Sequence, residues 1–94
     1  MATTIDELTI AYEDNGVETI KELAKEVLTR GAWSTIIYKY QSFSNKDQAY
    51  GGDLYSIRRY QKRNGEYQLR SKFNISGKDQ AKQIIAILSK WIEE

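Results

Sequence analysis

The chain lacks cysteine and histidine altogether among its 94 residues. Without thiols or imidazoles it has no disulfide framework, no thiolate nucleophile, no imidazole general base and no nitrogen- or sulfur-ligated zinc or haem. Carboxylates and hydroxyls are what remain for chemistry. Long apolar runs are missing too: the longest, Ile84 to Leu88, falls far short of the roughly 20 residues that cross a bilayer. The start, Met1 to Glu7, has neither the basic opening nor the apolar stretch of a signal peptide, so a cytoplasmic protein with no membrane association is expected. Asn74-Ile75-Ser76 fits the glycosylation pattern, but a three-residue match is frequent by chance. A chain this short buries only somewhat more than about 60% of its unfolded surface, which leaves one core and favours a surface site over an enclosed cavity.

What is present is a globular composition, 40% apolar, 29% charged and 12% aromatic, with a net charge of +1 that hides a strong asymmetry. Residues 1 to 30 carry three bases against seven acids, a net −4. Residues 31 to 75 carry eight bases against three acids, a net +5, and hold six of the seven tyrosines. The last segment balances.

Hydrophobic periodicity divides the chain into elements. Residues 1–14 show no sustained period and read as a tail or an edge strand around Leu8 to Tyr12. From Val17, apolar residues at Ile20, Leu23, Ala24, Val27 and Leu28 recur at three and four, which predicts an amphipathic helix. Asn15 and Glu18 suit a capping box at its start and Gly31 suits its end. Trp33 to Phe43, β-branched and aromatic, reads as a strand with both faces half apolar. Ser44 to Asp53 reads as a loop, and a second strand follows from Leu54 to Lys62. Asn64-Gly65 is a strong hairpin signal, leading to a third strand whose Tyr67, Leu69, Ser71, Phe73 and Ile75 alternate onto one face. Ser76 with Asp79 opens a C-terminal helix with an apolar stripe of Ala81, Ile84, Ile85, Leu88, Trp91 and Ile92. The expected fold is α+β in the order α-β-β-β-α: an antiparallel sheet of three or four strands with helices on one face, residues 15–94 forming one domain.

A two-residue turn sets Arg59 across from Arg70, with Lys72 and Arg63 near; a bulged turn brings Arg58 and Tyr60 to that face instead. Like charges side by side destabilise a strand pair, so an anionic partner is the functional explanation. Interleaved tyrosines suit single-stranded nucleic acid, whose bases stack on rings while cations track phosphates. The competing explanation is a basic, solvated sheet face. Glu18, Glu22, Lys21 and Lys25 pair as on an ordinary exposed helix, and Asp47 and Asp53 lack the cleft that carboxylate catalysis needs. Gly51-Gly52 lacks the setting of a phosphate loop. No enzyme, metal or cofactor is expected.

The segment Leu54-Tyr55-Ser56-Ile57-Arg58-Arg59-Tyr60, with Gly65-Glu66, Lys72, Ile75-Ser76 and Gln80 before an amphipathic helix, resembles the C-terminal part of the PC4-like single-stranded-DNA-binding family of transcriptional coactivators. Leu69-Arg70-Ser71 stands where that family has a proline-glycine-lysine-lysine-glycine stretch. The resemblance implies a curved antiparallel sheet backed by a helix through which two subunits dimerise, with Arg58, Tyr60 and Lys72 at or near a DNA-binding surface. Candidate nucleic-acid-binding residues are thus Lys39, Tyr55, Arg58, Arg59, Tyr60, Arg63, Arg70 and Lys72, and candidate dimer-interface residues are Ile84, Leu88, Trp91 and Ile92. Two other readings stand beside this one. The element order, with Lys78, Ala81 and Lys82 opening the last helix, is similar to double-stranded-RNA-binding domains. The other is a small homodimeric protein-interaction module.

Overall fold

The computed structural model describes residues 2–93; Met1 and Glu94, the outermost residues of the two expected segments, lie outside the described residues. Asn15 and Gly16 both have left-handed backbone angles, φ 52° and 81°, the geometry of a two-residue hairpin turn. They join β1 (Tyr12–Asp14) to β2 (Val17–Thr29). Then follow β3 (Trp33–Ser44), the two-residue β4 (Ala49–Tyr50), β5 (Leu54–Arg63), β6 (Glu66–Ile75) and helix α1 (Lys78–Ile92). The strands form a curled six-stranded antiparallel sheet in the order β1-β2-β3-β5-β6, with β4 beside β3.

The expected helix over Val17 to Leu28 is therefore a strand, and the α-β-β-β-α order with helices on one face is not the fold. β2 runs along β3 with irregularities between Glu22 and Ala24 and between Val27 and Thr29, leaving Leu23 and Leu28 as extra residues. Each extra residue delays the alternation by one. The side chains paired with Ser42, Tyr40, Tyr38 and Ile36 are consequently Ile20, Glu22, Lys25 and Val27, at spacings of two, three and two. That mixture imitates the three-and-four rhythm of a helix. β-branched Val17, Thr19, Ile20, Val27 and Thr29 favour the strand, and a helix there would have left one edge of β3 without a partner. The expected capping box at Asn15 is the hairpin turn, and the order that supported a likeness to double-stranded-RNA-binding domains is gone with the helix. At α1 the cap is Gly77, and Ser76 donates from its amide and hydroxyl to Gln80 Oε1 instead of pairing with Asp79.

The core lies on one face of the sheet, beneath residues 2–11, which cross it as a strap. Leu8 and Ile10 of the strap are buried against Ile36, Tyr38 and Tyr60. Burying two such aliphatic side chains contributes about 1.5–3 kcal/mol each. A single 3₁₀ turn, Ile5–Glu7, interrupts the strap, and Glu7 closes it by accepting bonds from the amides and hydroxyls of Thr3 and Thr4 at 2.8 to 3.1 Å. Helix α1 lies over the opposite face, above Ile37, Tyr55, Ile57 and Ile75. Both faces of β3 are thus covered in part, which explains why both are half apolar.

Two outcomes are expected. At Gly16 a φ of +81° strains any other residue, so Gly16→Ala should lower the stability read by urea unfolding by about 1 kcal/mol. In a helix the same change would raise it. The hydroxyl of Thr3, first among the donors on Glu7, holds that carboxyl below its ordinary value of 4.5. A depressed folded pKa gives a contribution present above the ordinary value and lost as the pH falls through the folded one. The Thr3 and Thr4 amide proton shifts should therefore titrate together, with a midpoint below 4.5.

Candidate nucleic-acid interface

The β5–β6 hairpin turns at Asn64 and Gly65, φ 53° and 79°, so Arg63 faces Glu66, Gln61 faces Gln68 and Tyr60 faces Leu69. Beyond Tyr60 the register shifts: Arg59 faces Ser71 and Arg58 faces Lys72, leaving Arg70 as the extra residue of a bulge. Two expectations change with it. The face from Tyr67 to Ile75 is not continuous, because Tyr67 and Leu69 share the strap side with Tyr60 while Ser71, Phe73 and Ile75 share the helix side with Ile57. Arg59 does not face Arg70. The like-charged pair is Arg58 and Lys72, directly opposite each other on the strap side.

Around that pair the polar groups form a chain. Ser56, fully buried, donates its hydroxyl to Asn74 Oδ1 at 2.7 Å and accepts from Arg58 Nε at 3.2 Å. Arg58 is half-buried and Lys72 exposed. Arg70 Nε donates to Gln61 Oε1 at 3.0 Å, and Gln61 stands with Arg59 on the helix side, so this bond draws the bulged residue away from the pair. Across β5 and β6 six cations, Arg58, Arg59, Lys62, Arg63, Arg70 and Lys72, accompany one carboxylate, Glu66 at the turn. Neutralisation from within the hairpin is confined to its tip, so the middle presents an uncompensated positive strip.

The remaining candidates are divided between surfaces. Tyr60 is 5% exposed and Tyr38 1%, and their hydroxyls meet at 3.0 Å inside the core. Burial first, then the bond from Tyr60, pushes the Tyr38 phenol well above its ordinary value. With the strap in place Tyr60 offers no free ring. Lys39 and Tyr55 face each other on the helix side. Arg59 is also there, its guanidinium 4.4 Å from the Trp33 ring centroid. The structure therefore sets Arg58 and Lys72 together on the strap side, while Lys39, Tyr55, Arg59, Arg63 and, through its bond to Gln61, Arg70 belong to the helix side. Sequence reasoning missed Ser56, Asn74, Lys62 and Tyr38. Alternation with Arg58 and Tyr60 would have found Ser56 and Lys62; Tyr38 needed the strap.

Of the candidate interface residues, Ile84 turns toward the sheet, while Leu88, Trp91 and Ile92 are exposed, the last two at 63% and 78%. Ile84 and Leu88 form one wall of an open apolar groove of about 550 Å³ whose floor is Ile37, Tyr55, Ile57 and Ile75. Among the described residues no group of three or more carboxylates stands close enough to hold a metal ion, and no helix is long and apolar enough to cross a membrane. No known protein family, curated protein or solved structure matches this chain.

Contrasting stability effects follow from this arrangement. Lys72→Gln, which relieves a like-charged cross-strand pair, should leave the urea midpoint unchanged or raise stability by about 0.2–1 kcal/mol. Tyr60→Phe strips the Tyr38 hydroxyl of its buried partner and should lower stability by about 1–3 kcal/mol.

Proposed function

We propose that this protein is a non-catalytic, single-stranded-nucleic-acid-binding homodimer of low sequence specificity, whose phosphate contacts run along the β5–β6 hairpin. The observation that carries the reading is Arg58 set directly opposite Lys72 on two strands that together hold six cations and one carboxylate. A repulsive pair whose own two strands carry no carboxylate other than Glu66 at the turn is a cost to folding that a phosphate backbone offsets. The curled antiparallel sheet backed by a C-terminal helix is the arrangement implied by the resemblance to the PC4-like family, and it adds support. Phosphate contacts of this kind position a strand without reading its bases.

The second copy is the occupant we assign to the apolar helix face. Leu88, Trp91 and Ile92 project from the same helix that walls the groove, so a two-fold axis sets the stripe of each copy against the groove of the other. Contiguous exposed apolar surface of this kind is rare on a monomer. Dimerisation also brings two basic hairpins onto one strand of nucleic acid, linking two weak sites through effective concentration.

Titration of a labelled oligothymidylate at several salt concentrations tests the first part. With about 3–5 phosphates neutralised, log affinity should fall against log salt with a slope of about −2 to −3.5, and the Arg58→Gln, Lys72→Gln double variant should lose about 1.4 of that slope. Absence of binding at low salt refutes the proposal, and a preference for duplex RNA replaces its ligand. Light scattering tests the second part. The unmodified chain should show twice 10.9 kDa, and Trp91→Glu should give monomers that bind the oligonucleotide more weakly.

A further inference from the structure

We infer that the sheet face under the N-terminal strap is a masked base-stacking platform, Tyr38 and Tyr60 beside Arg58 and Lys72, which unpaired nucleobases occupy when residues 2–11 lift away. The inference rests on the proposed nucleic-acid reading and names the part of the site that receives the bases.

The attachment of the strap is the first argument. Residues 2–11 are not a rung of the ladder: among the described residues one backbone bond ties them to the strands, from Tyr67 N to Ala2 O at 2.9 Å. Two side chains of β2 supply the other polar ties. Lys25 Nζ donates to the carbonyls of Ile5, Asp6 and Leu8 at 2.6, 3.3 and 2.7 Å. Glu22 Oε1 accepts from Thr9 Oγ1 at 2.7 Å and from Ile10 N at 3.3 Å. Segments held by a few side-chain bonds and two buried apolar residues open before the sheet does.

The surface beneath is the second argument. The strap covers two phenol rings whose hydroxyls bond each other, so opening lets each exchange its partner for water and orphans neither group. Flat rings stack on any base, which suits binding without sequence preference. Arg58, on the same face, pairs with Ile36, two residues from Tyr38, so the platform adjoins the phosphate strip. The strap also brings charge of the ligand's sign. Asp6 lines the same surface hollow as Arg30 and Lys62, and an arriving phosphate backbone repels it.

Hydrogen exchange on the full chain, read by mass spectrometry with oligothymidylate and with inorganic polyphosphate, tests this. Oligothymidylate should speed exchange at Leu8 and Ile10 and quench tyrosine emission; polyphosphate, which carries charge but no bases, should do neither. A bound oligothymidylate that leaves the strap equally or better protected overturns the inference and leaves the proposed function standing. Release of the strap by both polyanions overturns the stacking role, since charge alone then suffices. Absence of binding by oligothymidylate overturns both readings. Lys25→Gln removes the central tie and also one positive charge, so simple electrostatics predicts weaker binding. A cover that competes with ligand predicts severalfold tighter binding of oligothymidylate, because a larger share of molecules is open beforehand. Unchanged or weaker binding by this variant, with its sheet intact by circular dichroism, also overturns the inference.

Discussion

The hydroxyls of Tyr38 and Tyr60 meet at 3.0 Å beneath the strap, and much of the sheet is arranged to keep that contact dry and satisfied. The register of β3 on β5 sets Tyr38 opposite Ser56 and Tyr60 opposite Ser34. A small residue across from each ring leaves space for the two phenols to reach one another diagonally. Both serines are fully buried, and each spends its hydroxyl locally, Ser34 on the carbonyl of Gly31 at 3.0 Å and Ser56 on Asn74. Among the described residues no buried side-chain polar atom is left without a partner. Polar groups at the centre of so small a core are tolerable only under that condition.

Around this contact the bulges decide which side chains face which way. The extra residue Leu23 lets β2 present Ile20 and Glu22 before it, then Lys25 and Val27 after it, to the strap. Glu22 and Lys25 are thereby placed where they hold the strap's backbone. The extra residue Arg70 does the same for the outer hairpin. Were Arg70 paired in regular register, Leu69 and Ser71 would share a face and Lys72 would stand opposite Ile57; with Arg70 bulged, Lys72 stands opposite Arg58. One added residue in a strand re-aims everything beyond it, because the side-chain period is two. The same device serves stability in one strand and the candidate interface in the other.

Legibility varied along the chain for identifiable reasons. β3, β5, β6 and α1 were all readable, since each carries its own signal: β-branched and aromatic runs, Asn64-Gly65, and an apolar stripe over Ala81 to Ile92. Asn15-Gly16 is the same turn signal as Asn64-Gly65, yet the segment after it has acids and lysines at helical spacing, which makes the turn look like a helix cap. Local pairing of Glu18 with Lys21 and Glu22 with Lys25 contributes only a few tenths of a kcal/mol per pair. The ladder along β3 outweighs it, since the edge of a twelve-residue strand would otherwise lack hydrogen-bond partners. Of the site, the cations were legible as a cluster, whereas their division between two faces was not.

Composition and pattern alone determined the absence of thiol and imidazole chemistry, the basic and tyrosine-rich middle of the chain, the β5–β6 hairpin and the amphipathic last helix, because each is a property of residue type or of near neighbours. Tertiary structure alone decided that Val17 to Thr29 is a strand, that Arg58 rather than Arg59 stands in a like-charged pair, and that Tyr60 is core. Bulge positions and the path of the strap settle these points, and both depend on contacts between segments far apart in the chain. Glu22 meets Ile10 across twelve residues and Tyr38 meets Tyr60 across twenty-two. A period read within one segment carries no information about such contacts until the partner strand is in place.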